Sequence, residues 1–342
     1  MKRLLLSILL LGGLAANALA TEDLPGYERM TVFPKQRATP VAAALWYPAG
    51  VQSYRGHVGD NPVFYGTSVW MGAKIAEGQY PLFVFSHGSG GNMDNSAWLF
   101  SALVEKGAMV LAVNHPGSTS GDSSPRATVF LDRRAGDISA ALDALLADPV
   151  LGPHVDRSRI TALGFSLGGA TVLNLGGLRF DRAAYGDYCR DNPEAADCVF
   201  LAKGNVDFDH LPEGFEGDAR DDRISRVIAI DPGFTYAATA DSIAAVERPV
   251  LVINLGEKDL MKAADVSDKG SNLVARLPDG ERVVIAPAHH FTFLALCKPE
   301  GAALLAEERD DPVCTDPAGA DRALVHERII EAVAAGLDKA SD

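Results

Sequence analysis

The sequence predicts an α/β fold, a mostly parallel sheet covered by helices, and three observations predict it. From about Val41, short apolar runs alternate with amphipathic stretches, the rhythm of parallel strands joined by crossover helices. Several of the runs are apolar almost throughout, as strands buried on both faces must be. Between two of them a G-x-S-x-G pentapeptide, Gly164-Phe165-Ser166-Leu167-Gly168, joins a strand-like run to a stretch of small residues.

In chain order, the first twenty residues stand apart from the fold. Lys2 and Arg3, an apolar run over 4–11 and Ala18-Leu19-Ala20 read as a signal peptide cleaved before Thr21. The run is shorter than the roughly 20 apolar residues of a membrane span. Residues 21–342 then read as one domain, free in a periplasm or outside the cell. Strands are expected at 41–47, 82–86, 109–114, 159–164, 226–231, 250–255 and 282–287. Helices are expected at 95–106, 133–147, 167–175, 238–246 and 321–337. Residues 52–79, rich in Gly and aromatics, read as a long loop. Residues 180–222 are acidic and have few regular apolar positions, so they read as an insertion forming a lid or cap, with a plain surface excursion as the alternative.

The formal net charge is −14, and it becomes −16 once Lys2 and Arg3 leave with the leader. An acidic balance of this size argues against nucleic acid or anionic membranes as partners. Cys189, Cys198, Cys297 and Cys314 all remain after cleavage. An even count in an exported chain favours disulfides. The local pairing, Cys189–Cys198 and Cys297–Cys314, keeps each bridge within one loop-rich stretch. No C-x-x-C or H-x-x-x-H spacing points to zinc, and no cofactor is called for.

The strand–turn–helix setting of Ser166 matters more than the pentapeptide itself. A tight turn lifts the serine hydroxyl out of the backbone, and the helix that follows aims its positive end at the same place. Upstream, 82–86 ends in His87-Gly88-Ser89-Gly90-Gly91, an HG turn whose N–H groups suit a developing oxyanion. Ser89 and Leu167 are the expected donors, through their backbone. His87 reads as a loop-holding residue. A nucleophilic serine also needs an imidazole. Of eight histidines, His289 and His290 follow the last expected strand, where a chain order of Ser, acid, His puts the base. His290 is preferred because Phe291 and Phe293 follow it and can fix its ring. His57, His115, His154, His210 and His326 read as solvated or structural, with His115 the nearest to lining a pocket. Two aspartates end strands in the right interval: Asp231, in Ile230-Asp231-Pro232-Gly233, and Asp259, in Gly256-Glu257-Lys258-Asp259. Spacing leans to Asp259 and leaves both open.

Three segments carry a family resemblance: Val84-Phe85-Ser86-His87-Gly88-Ser89-Gly90, Gly164-Phe165-Ser166-Leu167-Gly168-Gly169-Ala170-Thr171 and Ala229-Ile230-Asp231-Pro232. Together they resemble the platelet-activating-factor acetylhydrolase branch of the α/β-hydrolases, and bacterial proteins labelled dienelactone hydrolases are similar. The resemblance runs from about Leu45 to Phe293 and is specific at these motifs. It implies Ser166 as nucleophile, His290 as base, Asp231 rather than Asp259 as acid, and Ser89 and Leu167 as oxyanion donors. It also implies short acyl groups, on lipid-like alcohols among others. The insertion at 180–222 and the Cys-containing tail after His290 depart from that pattern. Dienelactone hydrolases use a cysteine where this chain has Ser166, so their chemistry does not carry over. The expected activity is hydrolysis of a small or polymeric carboxylic ester. An amide, peptide or lactone hydrolase, or a non-catalytic binding protein of the same fold, stands as the alternative.

Overall fold

A computed structural model describes residues 23–337; the expected signal peptide lies outside the described residues. The chain forms β1 (Gly26–Val32), β2 (Val41–Tyr47), β3 (Tyr54–Val58), β4 (Thr67–Met71), β5 (Tyr80–Ser86), α1 (Ala97–Glu105), β6 (Met109–Val113), β7 (Ser118–Thr119), β8 (Asp122–Ser123), α2 (Pro125–Thr128) and α3 (Leu131–Ala147). It continues with β9 (Val155–Phe165), α4 (Leu167–Leu175), α5 (Arg182–Asp191), α6 (Ala196–Lys203), β10 (Arg226–Ile230), α7 (Ala240–Ala244), β11 (Val250–Leu255), α8 (Leu273–Arg276), β12 (Gly280–Ile285), α9 (Gly301–Glu308) and α10 (Arg322–Ala334).

Ten strands make one sheet in the order β12-β11-β10-β9-β5-β6-β2-β1-β4-β3. From β12 to β6 every neighbouring pair is parallel, and β2 joins β6 antiparallel. Side chains alternate between two cores because a strand has a period of two. Leu82 and Val84 of β5 face a core with Ile138 and Leu142 of α3 and Val172 of α4. Phe83 and Phe85 face the opposite core with Phe100 of α1 and Ile329 of α10. Both faces of the central strands are therefore covered, which is why their sequences are continuously apolar.

Two expectations need correction. Residues 52–79 are not one long loop: β3 and β4 pair antiparallel there and extend the sheet. The sequence hid them because β3 is an edge strand with mostly exposed side chains, so no apolar alternation marks it. Strand β1 escaped for a similar reason, since Glu28 and Arg29 interrupt its buried positions. The 180–222 stretch is also more regular than expected. It carries α5 and α6, and Tyr185, Leu201 and Phe215 join the core beneath α4. Asp181 caps α5 by accepting from the Ala184 N–H at 2.7 Å. Disulfides Cys189–Cys198 and Cys297–Cys314 are both formed. Among the described residues no helix is long and apolar enough to cross a membrane.

Candidate active site

Ser166 sits where β9 turns into α4, at φ 57° and ψ −118°, a left-handed conformation that L residues adopt only under constraint. The constraint is visible in the two glycines of the pentapeptide. A Cβ on Gly164 would stand 2.1 Å from the Gly168 carbonyl oxygen, and one on Gly168 would stand 1.9 Å from the Ser86 carbonyl oxygen. The turn is that tight because α4 starts immediately over the ends of β9 and β5. The Ser166 N–H is held by the Ile230 carbonyl at 2.9 Å, so the next strand fixes the bend.

That geometry presents the Ser166 hydroxyl to His290, donating to Nε2 at 3.0 Å. His290 donates in turn from Nδ1 to Asp231 Oδ2, also at 3.0 Å. The imidazole lies between Phe165, stacked at a centroid distance of 4.7 Å, and Phe291, edge-on at 5.5 Å. Phe293 packs on Phe165 rather than on the imidazole itself. Asp231 directly follows β10, at φ 43°. Its other oxygen accepts from the Leu255 N–H at 2.9 Å and from Asn254 Nδ2 at 3.1 Å. Both carboxylate oxygens are thus engaged, and the buried charge is anchored by β11.

Asp259 is exposed on the rim of the neighbouring cleft and makes no hydrogen bond to His290. His289 points the other way. Its Nδ1 accepts from the Phe291 N–H at 3.0 Å, and its Nε2 donates to the Thr315 carbonyl. It caps the short turn His290–Phe293 and ties it to the tail. The HG turn lies beside the serine: a Cβ on Gly88 would be 3.2 Å from Ser166 Cβ. Among the described residues neither the Ser89 nor the Leu167 N–H is given to a protein acceptor.

An open cleft of about 890 Å³ borders His290. Residues 191–196, between α5 and α6, line one part of it, and Pro312, Thr315, Asp316 and Pro317 of the tail line another. Cys189–Cys198 brackets the first segment, and Cys297–Cys314 ends at the second.

His115, expected to be solvated or structural and the nearest of its group to lining a pocket, proves to be structural. It is fully buried, donating from Nδ1 to Asp137 Oδ2 at 3.0 Å and accepting at Nε2 from the Ser86 hydroxyl at 3.0 Å. Burial, together with Arg134 and Arg37, pushes its pKa well below the usual imidazole range. His87 is likewise buried, and burial chiefly holds its pKa down. It donates to the Gly88 carbonyl at 2.7 Å and accepts from the His115 N–H at 3.2 Å, so it holds the HG turn. His326 is buried too. It stacks on Trp98 at 3.7 Å, and its Nε2 donates to the Thr292 and Leu294 carbonyls at 3.1 Å each, behind the turn that carries His290. Nothing in the helical pattern of 321–337 marked it, because a histidine on a buried helix face has no sequence signature of its own.

The alpha/beta hydrolase family model matches residues 83–307. The chain belongs to the alpha/beta hydrolase family. Its fold, accordingly, is that of a hydrolase. A ferulic acid esterase from Streptomyces cinnamoneus superposes with a TM-score of 0.60 at 18% identity, covering 95% of this chain and 96% of that one. The acylaminoacyl peptidase of Pyrococcus horikoshii superposes with a TM-score of 0.51 at 12% identity, covering 94% of this chain and 43% of that one. At such identities the likeness is one of fold. No curated protein sequence matches the chain.

Proposed function

We propose that this alpha/beta hydrolase is an exported serine esterase, cleaving carboxylic esters through an acyl-enzyme. The observation that carries the reading is the continuous hydrogen-bond chain Ser166–His290–Asp231, 3.0 Å at each step, beside two undonated N–H groups. Ser166 attacks the ester carbonyl as His290 Nε2 takes its proton. Asp231 keeps the imidazole in the Nδ1–H tautomer and stabilises the imidazolium. The Ser89 and Leu167 N–H groups receive the oxyanion, with the positive end of α4 behind Leu167. His290 then passes its proton to the leaving alcohol, and in the second half it activates water against the acyl-enzyme.

The proton delivered by His290 must reach the leaving oxygen, so the alcohol portion lies on the His290 side. The cleft of about 890 Å³ is on that side, which supports substrates with a bulky alcohol and a short acyl group. The segment 180–222 acts in this reading as a fixed cap whose 191–196 turn walls the alcohol site. Two disulfides support export, since such bridges persist in oxidising compartments. Residues 1–20 serve as the cleaved leader.

The decisive experiment is labelling with a fluorophosphonate, followed by turnover of p-nitrophenyl acetate against a p-nitroanilide. Labelling lost in Ser166→Ala and a preference for the ester are expected. Failure of folded wild type to label, or labelling that persists in Ser166→Ala, refutes the serine-hydrolase reading, and preference for the anilide refutes the ester reading. Amino-terminal sequencing of the exported protein, expected to begin at Thr21, tests the leader.

A further inference from the structure

We infer that Arg134 is a positioning residue for the oxyanion site, its guanidinium joining the turn that carries Ser89 to the helix that carries Leu167. The inference rests on the esterase reading above.

Arg134 lies on α3 and is 1% exposed. Its planar fork reaches three separate elements. Nη2 donates to the Ser86 hydroxyl at 3.1 Å and to the His87 carbonyl, at the root of the HG turn. Nε donates to Thr171 Oγ1 at 3.0 Å, and that hydroxyl donates on to the Leu167 carbonyl at 3.0 Å. Nη1 donates to Ser118 Oγ, and the Ser118 carbonyl accepts the Gly90 N–H at 2.9 Å. One rigid group therefore touches the chain before Ser89, is linked to the chain after it, and reaches the first turn of α4 through a single hydroxyl. A lysine has the charge but not the fork.

Every acceptor of Arg134 is neutral. The nearby carboxylate, Asp137, is bonded instead by Arg37, at 2.9 and 2.6 Å, and by His115. Burial lowers the Arg134 pKa to about 9, so the group remains a cation at neutral pH. A buried cation with no directly bonded carboxylate among the described residues is costly to keep, and the nearby charge of Asp137 offsets only part of that cost. What it gains here is placement: two N–H donors on different elements must meet one oxygen, and such sites lose rate when they loosen by less than an ångström.

The test uses Arg134→Lys, which keeps charge and loses the fork, and Thr171→Val, which keeps shape and cuts the link to Leu167. Functional sites are first counted by end-point fluorophosphonate titration, so kcat is expressed per competent serine. Thermal melting is recorded in parallel. Each variant is expected to lose kcat per site, about 10- to 100-fold for Arg134→Lys and less for Thr171→Val, with KM changed by no more than about threefold. The rate of phosphonylation should fall with kcat, because the phosphonyl oxygen uses the same donors. If the variants melt earlier or titrate fewer sites while kcat per site stays at the wild-type value, Arg134 only supports the fold and the inference is wrong. If Arg134→Lys gives no folded protein, Thr171→Val alone decides it. Wild type that fails to titrate is a different outcome, refuting the esterase reading itself.

Discussion

Replacing Asp231 by Asn separates the two candidate acids and has a magnitude that follows from its hydrogen bonds. One carboxylate oxygen accepts from the Leu255 N–H and Asn254 Nδ2, the other from His290 Nδ1. The two donors from β11 pin the acceptor end of an asparagine in the first position. Its NH₂ then faces His290 Nδ1, which must become the lone-pair nitrogen. The ring proton moves to Nε2, opposite the Ser166 hydroxyl, where an acceptor is required. Ser166 cannot lose its proton without a tautomer change and the loss of imidazolium stabilisation. The expected effect on kcat is about four orders of magnitude, roughly 5.5 kcal/mol of barrier, with KM little changed. Asp259→Asn, on the exposed rim, should stay within about twofold of wild type. The assay is steady-state hydrolysis of p-nitrophenyl acetate, with sites counted by fluorophosphonate. Asp231→Asn retaining more than a tenth of wild-type kcat, or Asp259→Asn losing most of it, would show that the tautomer argument is mistaken.

His290→Ala should remove nearly all turnover. His289→Ala should keep kcat within about fivefold, because its ring caps a turn and holds Thr315; the reverse ranking in a rate assay would contradict the assignment of the base. Burial lowers the His326 pKa to about 4, against an unfolded value of about 6.5. Between those values the unfolded chain binds a proton that the folded one does not, so stability falls as pH falls, by about 2 kcal/mol from this group between pH 7 and 5. Urea melts of wild type and His326→Gln at both pH values should show a smaller pH loss in the variant, and parallel losses would refute the point. Reduction of Cys189–Cys198 and Cys297–Cys314, which span 9 and 17 residues, should lower unfolding free energy by about 2.5–3 kcal/mol each. In Cys189→Ser/Cys198→Ser the expected kinetic signature is a raised KM for esters of bulky alcohols at unchanged kcat; the same KM for small and bulky alcohols alike would sink the assignment of 191–196 as a wall.

The central strands were legible because burial on both faces leaves continuous apolar runs, and the Ser166 turn because its glycines are forced by backbone contacts under 2.5 Å. The pairing of Ser166 with a ring 124 positions later was legible only through the order of elements along the chain. What could not be read is long-range polar geometry. Asp231 and Asp259 both end a strand–turn in sequence, and only the donors on β11 and the placement of the His290 turn tell them apart. Strand β3, at the sheet edge, carries no apolar period to read. Arg134 and Asp137 lie within the expected helix 133–147 without any mark of their own, since a buried polar residue is defined by partners that the sequence does not name.

Those buried residues bear on how a triad is recognised at all. Ser86, His115 and Asp137 form a second serine–histidine–aspartate chain with the same 3.0 Å steps as Ser166, His290 and Asp231. Hydrogen-bond order and distance do not distinguish them. Surroundings do. All three members of the second chain are fully buried, so no carbonyl can approach Ser86. Arg134 donates to the Ser86 oxygen at 3.1 Å, and burial, reinforced by Arg134 and Arg37, disfavours the imidazolium that proton transfer to His115 would create. Around Ser166 the surroundings differ: the residue is partly exposed, a helix begins at the next residue with its positive end toward a developing oxyanion, and among the described residues no arginine is bonded to the imidazole. A base must gain a proton during the reaction, so a ring kept neutral by burial and by neighbouring cations is suited to holding structure. The alignment of three side chains permits nucleophilic catalysis only where a carbonyl can reach the hydroxyl and donors await the oxyanion.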